Sequence, residues 1–529
     1  MGAASAIARR AFADARVRTI SFAALFVVSA LTQATAYREG YPTAADRLAL
    51  ARTIGANEAV RLLYGKPHDL LSVGGYVSWR VGGSMAIFAA IWGLLGAVRA
   101  MRAEEEAGRA ELILAGVVGR RRAFLAQVAA IGAGALVLWL ATFLALVAGQ
   151  LPAGGSAYLA LAIVSPAPVF AGVGALTSQL APTRRLATGL ASGVLVLAFV
   201  ARAVADTSST GVAWLRWLSP LGWAAELRAF GDPQPLVLAL PIATCALLLA
   251  AAAALTVRRD VGTGLLPARD VAAPRLGLLG SPAALALRCE RGGLTAWLVG
   301  VGAVAFLTGV ISDAVGSGLS HDVQRQLEKL GSESVATPSG FLGFTFLFFA
   351  LALSVLCCMQ LAAARREEAD QRLETLLALP LGRDRWLAGR LLLAVAGAAA
   401  VALAAGVLAW AGAASQGADV ALPDMLAAGA NCLPPALLFL GIGALLFAAV
   451  PRASAGIAYG LVAVAFLWET FGALLDGPAW LLALSPFHDI GLIPGEPFEA
   501  AAAAIMLGLA AAATLAAIRI LERRDLAGL

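Results

Sequence analysis

Charge is scarce in this sequence. Asp, Glu, Lys and Arg make up 14% of its 529 residues, against about a quarter in soluble domains, and that excludes a water-soluble globular protein. Lysine is rarer still, with only Lys66 and Lys329. The three histidines, His68, His321 and His488, stand far apart in sequence, so no metal site is expected. The five cysteines, Cys245, Cys289, Cys357, Cys358 and Cys432, show no paired spacing of a zinc site or disulfide framework; free thiols are expected. A nucleotide site needs GxxxxGK[ST], whose amides and lysine cradle phosphates, and that pattern is missing. The nearest string is "LLYGKPH" around Lys66, which lacks the remaining positions. No cofactor is therefore assigned to this chain.

What is abundant is apolar sequence: 60% of the residues are hydrophobic and the mean hydropathy is +0.83. A helix needs about 20 apolar residues to cross a hydrocarbon core of about 30 Å. Twelve runs qualify: 19–36, 79–99, 123–148, 157–180, 186–205, 235–257, 294–312, 341–363, 389–412, 426–449, 454–475 and 499–521. Runs such as "LLLAAAAALTV" do not alternate as barrel strands do. The expected fold is an all-α polytopic membrane protein in a lipid bilayer. An amphipathic stretch with Ile7, Arg9, Arg10, Phe12, Arg16 and Arg18 precedes the first run, which is read as an uncleaved helix. With both termini in the cytoplasm, most of the 39 basic residues fall on the inner side, as the positive-inside rule requires. The net charge of +6 thus reports topology, and nucleic acid is not implied as a partner.

The chain is written twice. The segment 102-RAEEEAGRAELILAGVVGRRR-122 returns as 365-RREEADQRLETLLALPLGRDR-385. At one constant separation Arg102 matches Arg365, Glu104 Glu367, Glu105 Glu368, Arg109 Arg372, Glu111 Glu374, Leu114 Leu377, Gly119 Gly382 and Arg120 Arg383. "GVGAL" before Pro182 returns as "GIGAL" before Pro451, "LSPL" at 218 as "LSPF" at 484, and "RRD" at 258 again at 523. Internal repeats of this kind define architecture. Two six-span pseudo-repeats are expected, residues 1–257 and 294–529, joined by a cytoplasmic linker at 258–293. An even span number gives both the same orientation, with a pseudo-twofold axis along the membrane normal. The first external loop, 37–78, is expected to carry an amphipathic helix around "DRLALARTIGANEAVRLLYG".

In each repeat the second span's helical period continues into the charged segment, so its helix is expected to leave the membrane by three or four turns before "GVVG" or "LPLG" reverses the chain. The bland reading is a solvated hairpin with i,i+4 pairs, Glu105 with Arg109 and Glu368 with Arg372, each contributing about 0.3–0.5 kcal/mol. The sharper one is a docking surface for two copies of a soluble partner. It explains why both the charges and an apolar tip, Leu112, Ile113 and Leu114 with Leu376 and Leu377, recur in halves that have otherwise diverged. The residues proposed to touch the partner are Glu105, Arg109, Glu111, Leu112 and Leu114, with Glu368, Arg372, Glu374, Leu376 and Leu377.

These hairpins, with "WLSPLGWAAELRAFGD" before the sixth span and "LYG" followed by "GGYVSWR" before the second, resemble permeases of the ATP-binding-cassette (ABC) type-2 exporter superfamily. The nearest likeness is to the fused two-half permeases of tetronasin and polyketide-antibiotic exporter type. The second half departs from the pattern with "LSPFHDIGLIPG". The resemblance implies that each hairpin is a coupling helix on which one of two separate ATP-binding subunits docks, carrying the ATP and magnesium. It also implies that the N-terminal stretch lies along the inner interface as a connecting helix, and that the segment before the sixth span dips back into the membrane. The function so implied is export of a hydrophobic compound, such as an antibiotic, polyketide or drug, across a bacterial plasma membrane, with no chemistry in this chain.

Charges inside spans cost roughly 2.5–3.5 kcal/mol on insertion scales and so point to pairing or function. Arg80, Arg202 and Glu469 stand out. Counted from the aligned prolines, Arg202 and Glu469 sit at similar depth in spans five and eleven, the basis for an asymmetric gate pair. Phe88, Trp92 and Phe199, then Phe344, Phe348, Phe466 and Trp468, are candidates for an apolar translocation wall. Two alternatives stay open: an ion-gradient-driven secondary transporter, which calls for more buried carboxylates than Glu469, and a non-transporting scaffold for an ATPase.

Overall fold

The computed structural model describes residues 3–53, 64–116, 118–207, 212–266, 277–318, 337–471, 485–488 and 490–524. Among them every regular element is a helix, and eleven helices are long and apolar enough to span a membrane. The chain divides into two compact units, Met1–Ala272 and Ala273–Leu529.

The first unit contains α1 (Ala3–Gly40), α2 (Ala44–Thr53), α3 (Val73–Val98), α4 (Arg109–Leu114), α5 (Arg120–Ala148), α6 (Ala153–Val164), α7 (Pro166–Leu180), α8 (Arg184–Thr207), α9 (Pro220–Glu226) and α10 (Ala239–Arg258). The second contains α11 (Pro282–Gly318), α12 (Pro338–Ala369), α13 (Arg372–Leu377), α14 (Arg383–Ser415), α15 (Leu422–Asn431), α16 (Leu433–Ala449), α17 (Ser454–Phe471) and α18 (Ala500–Arg523). The eleventh apolar run is α17, shorter than the other spans within the described residues.

The local causes recur between units. Ser72 accepts a hydrogen bond from the Gly75 amide at the start of α3, and Thr337 accepts one from Gly340 at the start of α12. These hydroxyl caps satisfy amides that a helix start leaves unpaired. The fourth apolar run of each repeat is broken in the middle. Pro166 starts α7 and Pro434 stands in the first turn of α16, because proline lacks the amide that a continuing helix needs.

Packing repeats as well. Helix α1 lies against α5 as α11 lies against α14; α3 packs on α7 as α12 packs on α16; α7 packs on α10 as α16 packs on α18. Close approach depends on missing side chains, as in membrane helix pairs generally. A Cβ on Gly93 of α3 would stand 2.1 Å from the Ala167 carbonyl oxygen of α7. In the second unit Gly309 faces the Ala409 carbonyl and Gly412 the Phe306 carbonyl, each at the same 2.1 Å.

Three expectations need correction. The helix leaving the second span is not continuous into the hairpin tip. In the first unit α3 passes through a π-helical stretch at Arg99–Ala103 and one more turn to Glu106, then stops at Gly108, whose φ is +69°. In the second, α12 stops at Ala369 and Gln371 takes φ +58°. A left-handed residue ends the helical register, so the tips are separate short helices. The N-terminal basic stretch is continuous with the first span, since α1 runs unbroken to Gly40. Helix α11 begins at Pro282, inside the segment expected as linker. The loop helix is present as Ala44–Thr53, while the rest of that expected helix, residues 54–63, and His321 and Lys329 lie outside the described residues. All five cysteines are free thiols.

Candidate functional site

The hairpins are built on a duplicated ionic latch. In the first unit Glu105 accepts from Arg102 Nη1 at 2.9 Å and from Arg259 Nη2 at 2.5 Å. The side chains of Arg102 and Arg259 are only 1% and 3% exposed. Further donors of both reach backbone carbonyls and one side chain. Arg102 reaches Thr263 at 2.8 Å, Gly262 at 3.0 Å and also Pro182, and Arg259 reaches Thr263 at 2.7 Å and the Gln179 side chain at 2.7 Å. Arg120, at the start of α5, donates to the Arg259 carbonyl at 2.7 Å.

The second unit repeats the arrangement. Glu368, 3% exposed, is paired with Arg365 at 3.2 Å and with Arg524. Arg524 caps the Phe447 and Ala448 carbonyls at 2.7 and 3.2 Å. Arg383, the counterpart of Arg120, donates to the Arg524 carbonyl. Each hairpin root is thus tied to the end of its unit's last helix. A buried charge is tolerable only when paired and hydrogen-bonded, and here every carboxylate has two guanidinium partners.

The pairs predicted by i,i+4 spacing do not form. Glu105 and Glu368 face inward to the latch, Arg109 forms a bidentate pair with Glu104 at 2.6 and 2.9 Å, and Arg372 pairs with Asp370 at 2.9 Å. The cause is the left-handed residue between the partners, which rotates the following helix out of register. Of the predicted contact residues, Arg109, Glu111, Leu112, Arg372 and Glu374 are exposed. Leu114, Leu376 and Leu377 are half-buried, the latter two packed against the core. Leu112 is 78% exposed and Leu379, which sequence reasoning passed over, 61%. The latch arginines 259 and 524 were also missed as site residues, although the repeated "RRD" was the signal that could have found them.

At the opposite end of the helices the units differ. Ser219 of "LSPL" donates to the Ala198 carbonyl at 2.6 Å, and Ser485 of "LSPF" donates to the Ala465 carbonyl at 3.1 Å, so this anchor is shared. Around it the first unit has a charge network: Arg202 and Arg216 each 3.9 Å from Asp206, and Glu226 taken by Arg216 at 2.5 Å and Arg228 at 2.7 Å. Burial would raise the Glu226 carboxyl, but the hydrogen bonds from Arg228 and Arg216 hold it below the usual range. Burial, with Arg228 adding repulsion, pushes the His68 imidazole down. In the second unit Glu469 lies 3.3 Å from His488 Nδ1. Of this network the sequence reading singled out Arg202 alone; Asp206, Arg216, Glu226 and Arg228 escaped it because they sit at segment ends, outside the apolar runs searched for charge.

The aromatic candidates separate. Phe344, Phe348, Phe466 and Phe487 form a ladder with ring centroids 5.5 to 5.6 Å apart. Phe344 and Phe348 are exposed on the unit, and Trp468 is half-buried. Phe348 also lines an apolar groove between α11 and α12 with Trp297 and Val301. Phe199 packs under the Arg202 guanidinium at 5.3 Å, and Phe88 is 38% exposed. Trp92 is buried, enclosed between Arg18 of α1 and Gly134 of α5. Arg80 lies over Tyr64 at 4.2 Å.

The model of the family described as multidrug efflux system permease Rv1217c, C-terminal domain, matches residues 49–258 and 279–520. The multidrug efflux system permease protein Rv1217c of Mycobacterium tuberculosis (strain ATCC 25618 / H37Rv) is 33% identical over 497 residues, which cover 92% of this chain and 88% of that protein. A chain of spanning helices that matches a permease along nearly its whole length is a multi-pass membrane protein, and it belongs to the multidrug efflux permease family of Rv1217c.

Proposed function

We propose that the chain is the membrane subunit of an ABC-type exporter of the fused two-half kind, moving hydrophobic or amphiphilic compounds out of a bacterial cell through the plasma membrane. ATP and magnesium belong to two copies of a separate ATP-binding subunit, one on each hairpin, with both chain termini on the same cytoplasmic side. The observation that carries this reading is the duplicated hairpin. Two exposed tips of mixed charge and apolar surface, Glu111 with Leu112 and Glu374 with Leu379, each stand on a root fixed by a buried Glu–Arg latch. A solvated topology signal needs no such anchoring, whereas a lever needs a rigid root to transmit a push from a soluble partner into the helices. The family's drug-efflux description supports the substrate class.

The test is co-purification of the full chain with an ABC ATP-binding subunit encoded beside it, followed by the double variant Glu111→Arg with Glu374→Arg. Charge reversal at both tips should release the subunit and abolish drug-stimulated ATP hydrolysis while the chain stays folded. Retained binding in that variant counts against docking at the hairpins. Drug efflux that persists without any ATPase and collapses with a protonophore would favour an ion-gradient mechanism instead.

A further inference from the structure

We infer that the first unit carries a binding site for the phosphate headgroup of an anionic membrane lipid, in a cleft between α1, α3 and α5. The cleft, of about 630 Å³ with its solvent-open space included, is lined by Ile7, Arg10, Arg18, Arg99, Gln127 and Ile131 among others. It is independent of the hairpin latch and of any ATPase.

Charge is unbalanced there in a specific way. Two carboxylates reach the cleft, Asp14 and Glu104, and each has its own cation. Asp14 stands 3.9 Å from Arg10, and both oxygens of Glu104 are held by Arg109 from outside the lining. The Gln127 amide donates to the Ala100 carbonyl at 2.8 Å. Among the described residues neither Arg18 nor Arg99 has a carboxylate within 4 Å, Arg99 acting on Glu104 only from a greater distance, and the Arg18 Nε is buried with no acceptor. Arg18 is nonetheless held in place, over the Trp92 ring at 5.7 Å and against Gly96, where a methyl group would meet its Nη2 at 2.8 Å. A positioned guanidinium with spare donors is what recognises a phosphate, often by two parallel hydrogen bonds.

Depth selects a lipid over a soluble anion. Arg18 is the last charge before the first apolar run, and Arg99 is the residue that closes the second. The helices bearing them pack together, so both guanidiniums lie where hydrocarbon gives way to headgroups. The rest of the lining, with Ile7, Ala11, Ala130 and Ile131, is apolar, suited to the glycerol and upper acyl chain. Each arginine beside an anionic lipid surface contributes about fivefold in affinity.

The experiment is equilibrium binding of fluorescent phosphatidylglycerol to the full chain in phosphatidylcholine nanodiscs. Wild type should prefer phosphatidylglycerol, inorganic phosphate should not displace it, and Arg18→Gln with Arg99→Gln should weaken the preference about thirtyfold. Arg18→Lys with Arg99→Lys, which keeps both charges, should retain most of it, and Arg10→Gln should change it little because Arg10 already has Asp14. An unchanged preference in the glutamine pair overturns the proposal. So does its complete loss in the lysine pair, or displacement by inorganic phosphate at concentrations that leave nanodiscs intact, which would indicate a free-anion site.

Discussion

Replacing Glu105 by glutamine keeps the shape of the latch and removes its charge. Two guanidiniums, 1% and 3% exposed, are then left without a counter-ion. Breaking a buried pair from one side costs about 3–5 kcal/mol. The carbonyls of Pro182, Gly262 and Thr263 still solvate Arg102, so the lower end, about 3 kcal/mol, is expected. Arg259→Met leaves Glu105 one charged partner and forfeits the bonds to Gln179 and Thr263; charged hydrogen bonds contribute about 1.5–3 kcal/mol each. The two changes share one interaction, so the double variant should cost at least about 1.5 kcal/mol less than the sum of the singles. Reversible unfolding in mixed micelles, fitted as a double-mutant cycle, measures this directly. Glu368→Gln with Arg524→Met should behave alike in the second unit. Additivity within about 0.5 kcal/mol in either unit would refute the latch as a coupled element.

Gly309→Ala and Gly412→Ala each force a methyl group to 2.1 Å from a carbonyl oxygen and should lower the yield of folded protein, whereas Gly300→Ala, with open space, should be silent in size-exclusion chromatography. Ser219→Ala and Ser485→Ala leave a carbonyl of the fifth apolar helix of each repeat without its donor and should cost about 1 kcal/mol each, read as earlier protease cleavage of the segment that follows. Acid should loosen the network around Glu226. His68 has its pKa lowered from 6.5, so its contribution is full above pH 6.5 and declines as pH falls below it toward the folded value. Glu226 is also lowered, from 4.5, so its contribution is full above 4.5 and is lost as pH falls further. Tryptophan emission from Trp214, Trp217 and Trp223 should report both steps, and His68→Gln should erase the upper one; an unchanged upper step would show that another group titrates there.

The spanning helices were legible because an apolar run of twenty residues has few alternatives in a bilayer, where every backbone group must be bonded within its own segment. The hairpin pairing was not legible. Periodicity assumes an unbroken helix, and nothing in "EEAGR" or "EADQR" announces that Gly108 and Gln371 turn left-handed. Gly108 at least is a residue type suited to that conformation, but Gln371 is not. The latch was half legible. "RRD" was visible as a repeated landmark, yet its partner Glu105 lies 154 residues away in sequence, and no local rule connects the two.

The serine anchors sharpen one comparison that the sequence left loose. Counting from prolines placed Arg202 and Glu469 at similar but unequal positions. The carbonyls taken by Ser219 and Ser485 supply a better register: Ala198 and Ala465 are equivalent, and Phe199 and Phe466 follow them directly. Arg202 and Glu469 then stand one helical turn beyond, at the same place in the two repeats. One fold position carries an arginine in the first unit and a glutamate in the second, and each has a local partner, Asp206 for Arg202 and His488 for Glu469. Duplication therefore preserved the hairpin latch and the serine anchor, while this position diverged in sign.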